Sequence, residues 1–273
     1  MRPAAVDTPQ VLVNGRPGAG VPPLDRGLGY GDGVFRTLRI DAGAPRWWDA
    51  QLAQLAADCA HLGIVCPPEA VWRDDLSRLQ LPEHGVLRLT VTRGEGERGY
   101  RPPAFATPTR IVAVWPGEAL ADAPRSVAAR VCRLRLGHQP ALAGVKHLNR
   151  LENVLARAEW QDPEVAEGML LDQAGRAVGG VMSNLFVWRR DTLLTPRIDA
   201  CGVAGVARAR LMERAAGAGI AVAEADLGLD DVLEADELVF TNSVILLWRA
   251  ARLDGRAWGA PVISPTLWNL LHA

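Results

Sequence analysis

The run Leu142-Ala143-Gly144-Val145-Lys146-His147-Leu148-Asn149-Arg150-Leu151 sets one lysine at the end of an apolar stretch and follows it at once with helical spacing. Leu148, Leu151, Leu155 and Ala158 recur at steps of three and four, so the spacing predicts a helix with one apolar face. Lys146 stands just before it. A desolvated lysine loses affinity for its proton and becomes an amine nucleophile, the condition for Schiff-base chemistry. A lysine whose stem packs while its head stays in water is the commoner arrangement. The choice between the two rests on the rest of the chain.

With 273 residues the chain has room for two modest domains or one large one. Its hydrophobic content of 49% and charged content of 22% are those of a soluble globular protein. A net charge of −1 argues against a nucleic-acid partner. No apolar run is long enough to span a bilayer, so no membrane partner is expected. Residues 1–7 lack the hydrophobic core of a signal peptide. Cys59, Cys66, Cys132 and Cys201 have no metal-ligand spacing and form no Cys-x-x-Cys. They read as reduced cysteines in a cytoplasmic protein, with no metal site.

In chain order, residues 11–13 and Asn14-Gly15 read as a strand and a hairpin turn. Asp25–Phe35 alternates glycines at 27, 29, 31 and 33, which lets the backbone turn tightly or approach another group. The spacing matches no phosphate-loop pattern, so a structural loop is an equally good reading. Residues 35–40 form a strand, and Asp49 can cap a helix running to about residue 62, with Leu52, Leu55, Ala56, Cys59 and Leu62 inward. Residues 86–92 and 110–115 are strands, and the loop between them carries Arg98 and Tyr100. Residues 116–124 read as a linker with two prolines and no periodicity. This places the domains at 1–118 and 119–273, the second carrying the lysine. After it, strands alternate with helices. Gly205, Val206 and Ala207 lead into a helix whose first amides could meet an anion, although an ordinary glycine-started helix reads as well, and Asn242 and Ser243 follow a strand. The fold class is α+β in two domains.

The segments around Lys146, together with Asp25-Arg26-Gly27…Val34-Phe35, Arg98-Gly99-Tyr100, Ser183-Asn184-Leu185-Phe186 and Thr241-Asn242-Ser243, resemble the aminodeoxychorismate lyases of the class IV (fold-type IV) pyridoxal-phosphate family. That family also holds the branched-chain and D-amino-acid aminotransferases. The likeness runs nearly end to end, and the Lys-His-Leu-Asn-Arg run favours the lyase branch. It implies the D-amino-acid/branched-chain aminotransferase fold, a homodimer, and pyridoxal 5'-phosphate held on Lys146. It implies phosphate contacts from Gly205, Val206, Ala207, Asn242 and Ser243, and substrate contacts from Tyr30, Arg98 and Tyr100. A guanidinium suits a carboxylate because its fork matches both oxygens. The implied reaction takes 4-amino-4-deoxychorismate to 4-aminobenzoate and pyruvate in folate biosynthesis, with Lys146 as tether and general base.

Two cofactor contacts of the family pattern are absent. Gln54 stands where the family has the arginine that meets the cofactor phosphate, and Gln51 where it has a histidine. Gly179 stands where it has the glutamate that pairs with the pyridine nitrogen. An amide keeps a hydrogen bond but loses its charge assistance, about half its strength. The implied consequence is weak cofactor binding. Alternative readings are the same reaction with little or no cofactor, a catalytically silent binding subunit, and, less favoured, an aminotransferase.

Overall fold

The computed structural model describes residues 9–272. The reading of residues 1–7 as free of a signal peptide lies outside the described residues. The chain divides into two compact units. One holds residues up to Leu120 together with Val145–Asn149, the other Ala121–Gly144 with Arg150 onward. The boundary expected after residue 118 compares with a division after Leu120. The lysine segment, expected in the C-terminal domain, groups with the first unit because its main chain pairs with a strand there.

In the first unit, β1 (Gln10–Val13), β2 (Arg16–Pro17), β3 (Gly33–Asp41), β4 (Ala44–Pro45), β5 (Gly85–Thr92) and β6 (Thr109–Pro116) form an antiparallel sheet in the order β2-β1-β6-β5-β3-β4. Three helices accompany it, α1 (Arg26–Tyr30), α2 (Trp48–His61) and α3 (Glu69–Ser77). The glycine-rich stretch thus contains one helical turn. Asp25 caps α1 by accepting from the Gly27 amide, and Gly31 ends it in the left-handed region, as a glycine can without strain. Side chains alternate along β3, so Val34, Arg36, Leu38 and Ile40 share a face. The three apolar ones pack with Leu87, Leu89 and Val91 of β5, Leu55 and Cys59 of α2 and Trp72 of α3.

Helix α2 departs from expectation at two points. Trp47, not Asp49, is its N-cap residue, and Asp49 sits in the first turn, where a carboxylate favours the helix dipole. Its inward face carries Gln51, Leu55, Asp58 and Cys59, while Ala56 is exposed. The face is rotated toward these polar positions because Arg36 projects into it from β3 and requires a carboxylate.

The second unit is built on β7 (Arg125–Leu136), β8 (Val165–Asp172), β9 (Ala177–Gly180), β10 (Asn184–Arg189), β11 (Thr192–Pro196), β12 (Ala221–Ala225), β13 (Glu237–Asn242), β14 (Leu246–Leu253) and β15 (Arg256–Ala257). Their order is β12-β11-β10-β13-β14-β7-β8-β9, with β15 on β14. The sheet is mixed: β11 with β12, β14 with β7, and β7 with β8 are parallel. Its helices are α4 (Leu151–Arg157), α5 (Val206–Gly217), α6 (Leu229–Leu233) and α7 (Ser264–His272). Among the described residues no helix is long and apolar enough to cross a membrane.

Helix α4 corrects another expectation. It begins at Leu151, leaving Leu148 before it, and its apolar face is exposed: Leu151, Val154 and Leu155 are 73%, 59% and 59% exposed, and the buried residue is Ala156. Strand β13 is fixed at its start by Glu237, which is fully buried. Glu237 accepts from Arg249 Nε at 2.9 Å, from the Ser264 hydroxyl at 2.6 Å, and from the amides of Val262, Ile263 and Ser264 at 2.9, 2.6 and 3.1 Å. One carboxylate therefore joins β13, β14 and the start of α7.

Candidate active site

Lys146 is held through its main chain. Its carbonyl accepts from the Phe35 amide at 3.0 Å, and its own amide donates to Asp58 Oδ2 at 3.3 Å. On either side, His147 bridges to Val34 and the Leu148 amide donates to the Gly33 carbonyl at 2.9 Å. The half-buried side chain carries Nζ to 4.6 Å from the centre of the Phe35 ring. Phe35, immediately before Arg36, projects to the opposite sheet face. The sequence holds a further signal: Lys146 is its sole lysine, since 29 of the 30 residues counted as Lys or Arg are arginine. A lysine differs from an arginine in carrying an amine that can lose its proton. A single lysine among 29 arginines makes this position the candidate for chemistry that needs such an amine.

Arg88 of β5 is a residue that motif reading passed over. Its guanidinium lies 4.1 Å from the centre of the same Phe35 ring. Among the described residues no carboxylate is paired with it, and burial lowers its pKa from the usual guanidinium value. It is a half-buried cation whose ring neighbour is also that of Lys146. The alternation of β5, paired so that Thr37 faces Arg88, is the signal that places it on the Phe35 face.

Tyr30, Arg98 and Tyr100 were expected together, and two of them meet. The Tyr30 and Tyr100 rings are 5.5 Å apart, and the Gly99 amide donates to the Tyr30 hydroxyl at 3.1 Å. Arg26 holds this loop by donating to the carbonyls of Gly99 and Tyr100, both at 3.0 Å, with its guanidinium over Tyr30. Asp32 anchors Arg26 and Arg93 at 2.9 and 2.7 Å. Burial pushes the Asp32 carboxyl up, but the hydrogen bonds from Arg93 and Arg26 outweigh it and leave its pKa low. Arg98 is exposed, outside this lattice. Gln54 turns to its own helix and donates to Asp58 Oδ1 at 3.2 Å.

In the second unit, Gly205 is the extended N-cap residue of α5, with no side chain capping the helix. The first amides, those of Val206 and Ala207, therefore lack helix partners. A Cβ at Gly205 would run into Asn184 Oδ1, so glycine is what lets the loop close on Asn184. Asn184 Nδ2 in turn donates to the Val203 carbonyl at 2.7 Å. The same loop pairs with Gly144, two residues before the lysine: the Gly144 amide donates to Gly202 and the Ala204 amide to Gly144. Asn242 is spent on its own turn, accepting from the amides of Val244 and Ile245 at 2.8 and 2.9 Å and donating to the Met182 carbonyl at 3.0 Å. The Val244 amide is thereby committed within the protein, and Ser243 stands in the turn beside it.

Gly179 has no room for the family's glutamate. A Cβ there would lie 2.8 Å from the Ser183 carbonyl oxygen. The nearby acid is Glu167, whose buried carboxylate accepts from the Ser183 hydroxyl at 2.7 Å and from the amides of Gly168 and Val181 at 2.9 and 3.0 Å. Burial pushes its carboxyl up. Glu167 holds the turn that leads into β10.

The chain belongs to the class IV aminotransferase family, whose model matches residues 33–253. It is 36% identical over 239 residues to an aminodeoxychorismate lyase of Vibrio harveyi, covering 85% of this chain and 87% of that protein. It superposes on a crystal structure of 4-amino-4-deoxychorismate lyase from Pseudomonas aeruginosa with a TM-score of 0.88 at 43% identity, covering 96% of this chain and 98% of that one. A branched-chain amino acid aminotransferase of Escherichia coli shares the fold, with a TM-score of 0.83 at 22% identity over 94% of this chain and 91% of that chain. The fold is the fold-type IV aminotransferase fold, α+β in two domains.

Proposed function

We propose that the chain is a lyase that converts 4-amino-4-deoxychorismate to 4-aminobenzoate and pyruvate, with pyridoxal 5'-phosphate held on Lys146. The observation that carries this is a sole lysine, fixed through both of its peptide groups, in a chain similar to two lyases of that name. In the first unit the Lys146 amine fits an aldehyde; in the second, the amides at the start of α5, which no side chain caps, fit a phosphate. When bound, the cofactor supplies an electron sink. The Lys146 amine would tether it and, once the substrate's own amine has displaced the lysine, would be free to take the proton from the amine-bearing carbon. Arg88, with no acid paired to it among the described residues, draws a substrate carboxylate. Loss of the enolpyruvyl oxygen makes an aromatic ring, so elimination needs less carbanion stabilisation than transamination does. Gly179, which offers no acid to a ring nitrogen, therefore suits the lyase. Borohydride added to protein with pyridoxal phosphate should fix one cofactor on Lys146, read by peptide mass. Label elsewhere or nowhere would refute the tether.

Cofactor affinity should be modest, because Gln54 is neutral and directed at Asp58. A lost charge-assisted contact is worth about 1.5–3 kcal/mol. Gln54→Arg should tighten binding by about tenfold in a titration followed by near-visible absorbance; an unchanged Kd would remove Gln54 from the phosphate site.

The protein should act as a homodimer in the cytoplasm, in keeping with its four free cysteines. Leu151, Val154 and Leu155 form an exposed apolar face, and Asn153, donating to Val181 at 2.7 Å, brings half-exposed Met182 beside it. Burying each such side chain is worth about 1.5–3 kcal/mol, which supports a second copy on this face. Light scattering at micromolar concentration should give a dimer for the native chain and a monomer for Leu155→Asp. A native monomer would overturn this.

A further inference from the structure

We infer that Asp58, held by Arg36, is a positioning residue for Lys146; the inference rests on the reading of Lys146 as the reacting amine. Arg36 and Asp58 are both 2% exposed and form an ion pair inside the apolar layer between β3 and α2. Asp58 Oδ2 accepts from both Arg36 and the Lys146 amide, and Oδ1 accepts from Gln54. Strand β3 takes up the Lys146 carbonyl, so the helix supplies the other half of the grip. Removing Asp58 removes the side-chain acceptor of the Lys146 amide and leaves the β3 contact at the lysine's carbonyl.

The ion pair is there for the acceptor. A buried pair adds little net stability over apolar residues of the same volume, yet removing one partner strands the other charge. Arg36 cancels the charge of a carboxylate placed to receive a main-chain amide. Burial lowers the Arg36 pKa, with Asp58 opposing the shift, and its Nε finds no hydrogen-bond partner among the described residues. Its ion-pair partner is Asp58. Fixing the lysine backbone sets the point from which its stem reaches Nζ over Phe35, the neighbour of Arg36 on β3. Reacting groups displaced by about 1 Å lose about a hundredfold in rate.

The test removes both charges together, so that neither is stranded. Arg36→Met/Asp58→Asn keeps an acceptor for the Lys146 amide. Arg36→Met/Asp58→Leu and Arg36→Met/Asp58→Ala lack one, and running both exposes a packing fault peculiar to leucine. Because the chain has one lysine, reductive methylation with ¹³C-formaldehyde labels a single ε-amine, and the Phe35 ring current shifts its methyl signal. In the native protein and the Asn pair the signal should stay shifted. In the Leu and Ala pairs it should move toward the value of a free peptide, at a melting temperature within a few degrees of the Asn pair. Covalent capture of pyridoxal phosphate should run within about threefold of native in the Asn pair and at least about tenfold slower in the other two. Equal signals and equal capture rates across the three pairs would overturn the inference. If the native chain captures no pyridoxal phosphate while the methyl signals still separate the pairs, the tether reading fails and the positioning role stands.

Discussion

Lys146→Arg is expected to leave the fold intact and to reduce turnover by at least about a hundredfold. It should also abolish covalent capture of pyridoxal phosphate. The substitution keeps a cation over Phe35, so the contact at 4.6 Å and the charge of the site are largely preserved. What it removes is an amine able to lose its proton, since a guanidinium stays charged throughout the accessible pH range. The main-chain bonds to Asp58 and Phe35 do not depend on the side chain. Lys146→Ala should give the same loss without the charge, so the two variants separate chemistry from electrostatics. Steady-state pyruvate release and a thermal melt provide the check. Near-native turnover by Lys146→Arg would mean that the reaction does not pass through this amine.

Glu237→Gln is expected to cost about 3–5 kcal/mol of stability, the loss typical of a broken buried ion pair. The fall in melting temperature should be about 10 °C. Arg249 would lose its counter-charge in the core, and the amides of Val262, Ile263 and Ser264 would share a weaker acceptor. The pH dependence has a definite sign. Burial pushes the Glu237 carboxyl up, but the Ser264 hydroxyl and the three amides outweigh it, so its pKa in the folded chain lies below the ordinary 4.5. A depressed carboxylate contributes stability that is fully present above its unfolded value and is lost as the pH falls through the folded one. The native chain should therefore lose this contribution below about pH 4.3, whereas Glu237→Gln should be less stable at neutral pH and show a flatter acid limb. Matching melts from pH 7 to pH 3 would show that Glu237 is not an anchor.

The sequence carried the strands and most helices because period-two and three-to-four patterns survive wherever one face is buried. Residues 86–92 and 110–115, read as strands, fall within β5 and β6. The errors have physical causes. Leu151 and Leu155 have core-like spacing, yet they are exposed in the single chain, and periodicity cannot say which partner an apolar face awaits. The inward Asp58 was missed because charged residues are assigned to the solvent side unless a partner is known, and Arg36 lies 22 residues away on a strand. Arg88 carries no local signal beyond the alternation of β5. The lysine segment and the Gly205 loop stand out in the sequence through the family resemblance, since residue type and spacing alone leave a solvated lysine and an ordinary helix start equally open. The tether from α2 was not legible, because it depends on tertiary pairing.

Product stoichiometry tests the reaction itself. Purified protein with pyridoxal phosphate and 4-amino-4-deoxychorismate is expected to release 4-aminobenzoate and pyruvate in equal amounts, with no amino group passed to an added keto acid. Absence of both products, or transfer of the amino group to the keto acid instead, would contradict it.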